Sequence, residues 1–263
     1  MSTLQPHKNA YWLFPKIKDW SAFALRVKLI CDLILESIQE LYPQRHVLSV
    51  DEKTSIQALG RIEDSAPDSK GRYKRKEFEY VRNGTSGLIA AIDVGKGNIA
   101  QQMLHPTHTE QDFATFIHSL LSLFDPVDQV VILADQLNTH LSDSLVKLVA
   151  QHIGFQQNLG KKGKKGILKN MQSRQDFLED PTHRIRFVFT PKHCSWLNPI
   201  ENWFAKLQRH VITNGNFASV KELHDKIEAY INYHNLCLVK PLNWKFRGFS
   251  KDKPLKNFKY DKT

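Results

Sequence analysis

The feature that most constrains this chain is the run Val130-Val131-Ile132-Leu133-Ala134-Asp135. Five consecutive apolar residues offer no polar face to water, so a strand built from them must be covered on both sides. A second apolar run, Val47-Leu48-Ser49-Val50-Asp51, also closes on a carboxylate. Further strands are expected at residues 54–59, 85–92 and 185–190. A turn at residues 93–98 makes a hairpin with a strand at 99–104. Helical periodicity appears at residues 21–41, 109–124 and 142–153, and again at 199–211 and 219–234. Ser219 followed by Glu222 reads as a capping box at the start of the last helix. Strands first and then alternating helix and strand, with no internal repeat, predict one α/β domain with a mixed sheet flanked by helices.

Composition narrows the function classes. No stretch of the 263 residues approaches the length of unbroken apolar sequence that a membrane span needs. The opening residues carry no basic segment followed by an apolar run, so no secretory leader is expected. Three scattered cysteines, Cys31, Cys194 and Cys237, form no CxxC pair and no disulfide framework. A cytoplasmic protein is therefore expected. The net charge is +10, and its placement is uneven. Residues 159–174 hold Lys161, Lys162, Lys164, Lys165, Lys169 and Arg174 with no acid, and residues 240–263 hold eight basic residues against two acids. Residues 83–158 carry seven carboxylates against Lys96 and Lys147. An acidic centre flanked by basic segments suits a site that handles a polyanion, the basic arms holding phosphate.

Three acids stand out by context. Asp51 and Asp135 each end an apolar strand. If those strands are neighbours, both carboxylates emerge at one sheet edge, where open α/β sheets place their ligands. Glu201 lies in Trp196-Leu197-Asn198-Pro199-Ile200-Glu201, at the border of the apolar face of the helix that follows. Hard divalent cations take oxygen ligands, and a few carboxylates hold them while leaving room for water and phosphate. A pair of such ions stabilises the attacking and leaving oxygens of an in-line phosphoryl displacement. Each acid also has a plainer reading. Aspartate after a strand is common in turns, and Asn198, Pro199 and Glu201 fit the N-cap, N1 and N3 positions of a helix start. The glycine-lysine stretch at 160–166 lacks nucleotide-loop spacing, and His193-Cys194 has no partners at zinc-site spacing.

Four blocks in order carry a family resemblance. They are residues 47–59, Lys76-Glu77-Phe78-Glu79-Tyr80 with Gly84-Thr85, Leu133-Ala134-Asp135-Gln136-Leu137-Asn138-Thr139-His140, and Phe189-Thr190-Pro191-Lys192-His193-Cys194-Ser195-Trp196-Leu197-Asn198-Pro199-Ile200-Glu201. Together they resemble bacterial insertion-sequence transposases of the Tc1/mariner superfamily, the IS630 group. The resemblance implies an RNase H-like fold and a DDE/DDD triad of Asp51, Asp135 and Glu201 binding two Mg²⁺ or Mn²⁺ ions. It implies nicking of double-stranded DNA at transposon ends, followed by attack of the freed 3′-OH on target DNA. Asn138, His140 and Asn198 match family positions as auxiliary residues. Lys161, Lys162, Lys164, Lys165 and Lys169, with Lys192 and His193, are candidates for phosphate contact. Alternatives are an inactive remnant that only binds DNA and an RNase H-like nuclease without strand transfer.

Two departures from the family pattern matter. Asp135 and Glu201 are 66 positions apart, the excess lying in a basic insert, residues 155–184. No helix-turn-helix domain fits ahead of Asp51. The expected organisation is an interdomain segment and packing helix at 1–45, a catalytic domain at 46–236 and a basic tail at 237–263. Assembly as a homodimer on DNA, and end recognition by a separate helix-turn-helix subunit or a frameshift fusion partner, are further implications of the resemblance.

Overall fold

The computed structural model describes residues 17–61, 79–107, 109–213 and 215–250. Lys76, Glu77 and Phe78 of the second block lie outside them. Five strands form one mixed sheet: β1 (Arg45–Gly60), β2 (Val81–Asp93), β3 (Ile99–His105), β4 (Gln129–Ala134) and β5 (Ile185–Phe189). Their order is β3-β2-β1-β4-β5. β1, β2 and β3 form an antiparallel meander, and β4 and β5 add to β1 in parallel. The unbroken apolar run of β4 is central and buried, as its sequence demands.

Helices cover both faces. One face packs against α2 (Glu110–Leu121), α3 (Asp143–His152) and α4 (Met171–Leu178), with Leu48 and Val50 of β1 meeting Phe113, Phe116 and Val146 in this layer. The opposite face is divided. α1 (Trp20–Ile38) covers Val47, Val131, Leu133 and Val188, while α5 (Ile200–Leu207) and α6 (Val220–Tyr233) cover Ile56, Ala58, Leu88 and Ala90. Among the described residues no helix is long and apolar enough to cross a membrane.

The sequence reads as two strands at 47–51 and 54–59, but the structure has a single strand. Lys53 pairs with Leu88 and Ile56 with Ser86, so β1 spends one more residue than β2 over this stretch. That bulge, with Ser55 in a left-handed conformation (φ 57°), flips the side-chain alternation. Even-numbered residues before it face α2, and even-numbered residues after it face α5 and α6. One strand thereby serves both layers, and its broken alternation looks like a strand boundary.

The basic insert is a built loop, and it contains an unexpected helix. Leu168 is buried, and Leu159 and Ile167 pack on the α2–α3 layer. Lys161 and Lys165 form a small antiparallel bridge. It closes over Gly160, at φ 91°, where a Cβ would meet the Lys165 carbonyl oxygen at 2.1 Å. Asn170 then caps α4 reciprocally with Ser173. Arg174, counted above with the basic residues of the insert, is buried. Its Nε donates to the Leu141 carbonyl at 2.6 Å and its Nη1 to that of Leu168 at 3.3 Å. These bonds fasten the insert to the segment just downstream of Asp135. Arg174→Ala should destabilise the protein by about 1.5–3 kcal/mol, the range for hydrogen bonds to a charged group. Trypsin cleavage within residues 161–169 should accelerate under native conditions. Unchanged cleavage would mean that the loop is held by other contacts.

Candidate active site

Asp51 and Asp135 are brought level by strand pairing. β1 and β4 run parallel with Arg45 opposite Gln129 and Ser49 opposite Leu133. Continued by two residues, the same register sets Asp51 beside Asp135, the first residue beyond β4. Asp51 does not end its strand, as the sequence suggests. It lies within β1, still paired with Ala90 of β2, at the level where the parallel neighbour has run out.

The third acid arrives through Asn198 and Ser49. Asn198 Nδ2 donates to Asp51 Oδ2 at 2.9 Å and to the Val50 carbonyl at 3.0 Å. Its Oδ1 accepts from the Ser49 hydroxyl at 2.5 Å, and Ser49 Oγ accepts from the Ile200 amide at 2.9 Å. All of these groups are buried, where a satisfied polar network specifies one arrangement. The start of α5 is thus tied to β1, two residues from Asp51, and Glu201 sits in the first turn of that helix. The capping role considered for Asn198 and Glu201 is not what forms. Asn198 spends its side chain on β1, and Glu201 is exposed and makes no side-chain hydrogen bond among the described residues.

Electrostatics couple the three acids. Burial pushes the Asp51 carboxyl up to about 6; the Glu52 amide opposes the rise, Asp135 adds to it, His140 opposes it and Glu201 adds to it. Although Glu201 is exposed, the protein around its carboxyl desolvates it in part and raises it, with Lys53 opposing and Asp135 reinforcing. Like charges that perturb one another in this way share a neighbourhood. Among the described residues no three His, Cys, Asp or Glu side chains converge as a cage for a single ion. Magnesium-type ions do not need such a cage, because one or two carboxylates suffice when water and phosphate fill the remaining positions.

His140 is fully buried. Its Nδ1 lies 2.8 Å from Asp135 Oδ1, and its Nε2 lies 3.8 Å from Glu52 Oε1. Burial alone would lower the imidazole, but the hydrogen bond to Asp135 and the nearby Glu52 carboxylate outweigh it and push it up to about 9. Asn138 is exposed and makes no capping bond. Lys161, Lys164, Lys165 and Lys169 are exposed on the insert, and Lys192 and His193 are exposed on the loop leading to α5. Lys162 is occupied instead, pairing with Asp143 at 2.7 Å and Glu110 at 3.6 Å. Ser49 and Glu52 escaped the sequence reading. The available signals were a hydroxyl within an apolar strand and a second acid directly after the first.

A family model described as DDE superfamily endonuclease matches residues 46–224. The chain belongs to that family. The match spans all three acids, and solved structures agree on the fold. A Mos1 mariner paired-end complex with Mn has 13% sequence identity and a TM-score of 0.52 over 88% of this chain. A pre-cleavage Mos1 transpososome has 14% identity and a TM-score of 0.52 over the same share. A Mos1 transposase paired-end complex with the left transposon end has 14% identity and a TM-score of 0.51. In each case the match covers 60% of the Mos1 chain. The mixed sheet flanked by helices is therefore the RNase H-like fold expected for a DDE endonuclease. No curated protein sequence matches significantly.

The raised Asp51 has a thermodynamic consequence. A carboxyl whose folded pKa exceeds its unfolded value costs stability as pH rises from about 4 to about 6, and the cost persists above that range. In chelator at pH 8, Asp51→Asn should be more stable than wild type by about 1–2 kcal/mol, part of the gain being lost with one hydrogen-bond acceptor. By pH 4 the difference should shrink toward zero. Denaturant titrations at the two pH values check this. An Asp51→Asn variant less stable at pH 8 would show that the carboxylate is satisfied without a cation.

Proposed function

We propose that this chain is the catalytic domain of a DDE transposase of the Tc1/mariner superfamily, IS630 group. It would cleave double-stranded DNA at transposon ends and transfer the resulting 3′ end into target DNA. One observation supports the reading: the β1–β4 register sets Asp51 level with the residue after β4, and the Ser49–Asn198 tie fastens to β1 the start of the helix whose first turn carries Glu201. The oxygen-only donor set of Asp51, Asp135 and Glu201 fits hard divalent cations, as does the rise of Asp51 and Glu201, which comes first from desolvation and is reinforced by the charge of Asp135. Asp51, Asp135 and Glu201 would hold two Mg²⁺ or Mn²⁺ ions. When bound, these supply charge stabilisation and alignment at a phosphodiester.

The chain's own residues do the rest. Asn198 and Ser49 fix Asp51 and seat the helix that carries Glu201. Lys161, Lys164, Lys165 and Lys169 stand on a loop fastened next to the segment that follows Asp135, placed to grip DNA phosphates; Lys192 and His193 would do the same near α5. Lys162 contributes by holding that loop against Asp143. One of the Mos1 structures named above is a paired-end complex with the left transposon end, which supports DNA as the substrate class here. The chain spans about 60% of the length of those Mos1 chains. End recognition would come from a helix-turn-helix part or a separate subunit, with two copies of the chain joining the two ends.

A nicking assay on supercoiled DNA, run beside joining of a transposon-end oligonucleotide to plasmid, tests the proposal. Wild type should nick and join only with Mg²⁺ or Mn²⁺. Asp135→Asn should lose more than about 100-fold, since removing an outer partner of a metal ligand already costs up to that much. Full activity in Asp135→Asn would remove the site assignment. Nicking without joining would indicate a nuclease, and DNA binding without nicking an inactive remnant.

A further inference from the structure

Asp51 and Glu52 are consecutive on β1 and project to opposite faces of the sheet. Glu52 follows Leu48 and Val50 onto the face that packs against α2, in a layer otherwise built of Phe113, Phe116 and Ile117. Its side chain is only 4% exposed, and His140 opposite it is completely enclosed, with the Phe113 ring centroid 4.1 Å from the imidazole. An ionisable pair in such a layer is costly unless the groups are matched to one another. A purely structural role at this point in the core would be served at lower cost by apolar residues of similar volume.

The pair leads to Asp135. His140 Nε2 faces Glu52 Oε1 at 3.8 Å, while Nδ1 meets Asp135 Oδ1 at 2.8 Å and the Asp135 carbonyl at 3.2 Å. Asp135 Oδ1 also accepts from the Leu137 amide at 3.1 Å. Oδ1 is therefore occupied twice, while Oδ2 accepts no hydrogen bond among the described residues. The carboxylate is fixed in rotation with one oxygen presented outward. Asp51, by contrast, is held from the other face of the sheet by Asn198.

We propose that Glu52 and His140 are positioning residues for Asp135: Glu52 orients the imidazole, and the imidazole sets the carboxylate with Oδ2 turned toward a divalent cation. This rests on Asp135 being a cation ligand, as argued above. Outer partners of this kind typically contribute 10–100-fold to metal affinity.

The test is Mn²⁺ binding to the full chain, followed by isothermal titration and by the electron paramagnetic resonance of free Mn²⁺, with no DNA present. Wild type is compared with Glu52→Gln, His140→Asn, His140→Ala and Asp135→Asn, each first checked for a cooperative melt. Glu52→Gln keeps shape and volume and should weaken Mn²⁺ binding about 10-fold. His140→Asn, which returns a donor near the position of Nδ1, should bind better than His140→Ala; a merely space-filling role would not separate them in that order. In the nicking assay, Glu52→Gln should raise the half-saturating Mn²⁺ concentration while the rate at saturating Mn²⁺ stays within a few-fold of wild type. Should the His140 variants fail to fold, Glu52→Gln alone decides. Wild-type Mn²⁺ affinity in a folded Glu52→Gln, with Asp135→Asn defective, would overturn this proposal and leave the metal reading standing. Undiminished Mn²⁺ binding in Asp135→Asn would overturn both.

Discussion

The parallel pairing of β1 with β4 is the interaction on which the site depends. Its register, Ser49 opposite Leu133, sets two acids side by side that are 84 positions apart in the chain. Register in a sheet covered on both faces is strongly specified, because a slip of one residue would turn every apolar side chain of β4 to the wrong layer. The burial of Val130, Ile132 and Ala134 on one side and of Val131 and Leu133 on the other therefore also positions the two carboxylates. Packing energy, spread over many apolar contacts, fixes a geometry that the repulsion between the acids would oppose.

Around this pair, polar braces approach from both faces. On the α5 side, Ser49 and Asn198 connect Asp51 to the helix start that carries Glu201. On the α2 side, Glu52 and His140 connect to Asp135. Each brace is buried and each ends on one carboxylate, so the sheet edge is held from above and below. The β1 bulge near Ser55 lets the same strand continue into the α5–α6 layer after presenting Asp51 and Glu52. The insert, fastened by Arg174 to Leu141, carries five exposed lysines, one of them paired with Asp143, beside the segment that His140 belongs to.

Much of this was legible in the sequence. The apolar run of β4, the β2–β3 hairpin and the Thr109 and Ser219 helix starts follow from local pattern and capping chemistry. Asp51, Asp135 and Glu201 stood out because each ends or borders an apolar element. What was missed depends on tertiary contact. α4 buries only Arg174, Phe177 and Leu178, too weak a stripe to announce a helix. The bulge hid the continuity of β1. Arg174 and Lys162 count as free positive charge on paper, yet one is a core fastener and the other an ion-pair partner. Ser49 and Glu52 carry no motif of their own, and only the faces to which β1 turns them reveal their partners.

The central claim is that the three acids hold divalent cations at one sheet edge. Anomalous diffraction from crystals soaked in Mn²⁺ tests it most directly. The account predicts Mn²⁺ peaks bounded by Asp51, Asp135 and Glu201, with Asp135 Oδ2 rather than Oδ1 as the ligating atom. Well-ordered carboxylates at this edge with no Mn²⁺ between them, in crystals that bind the ion elsewhere, would contradict it.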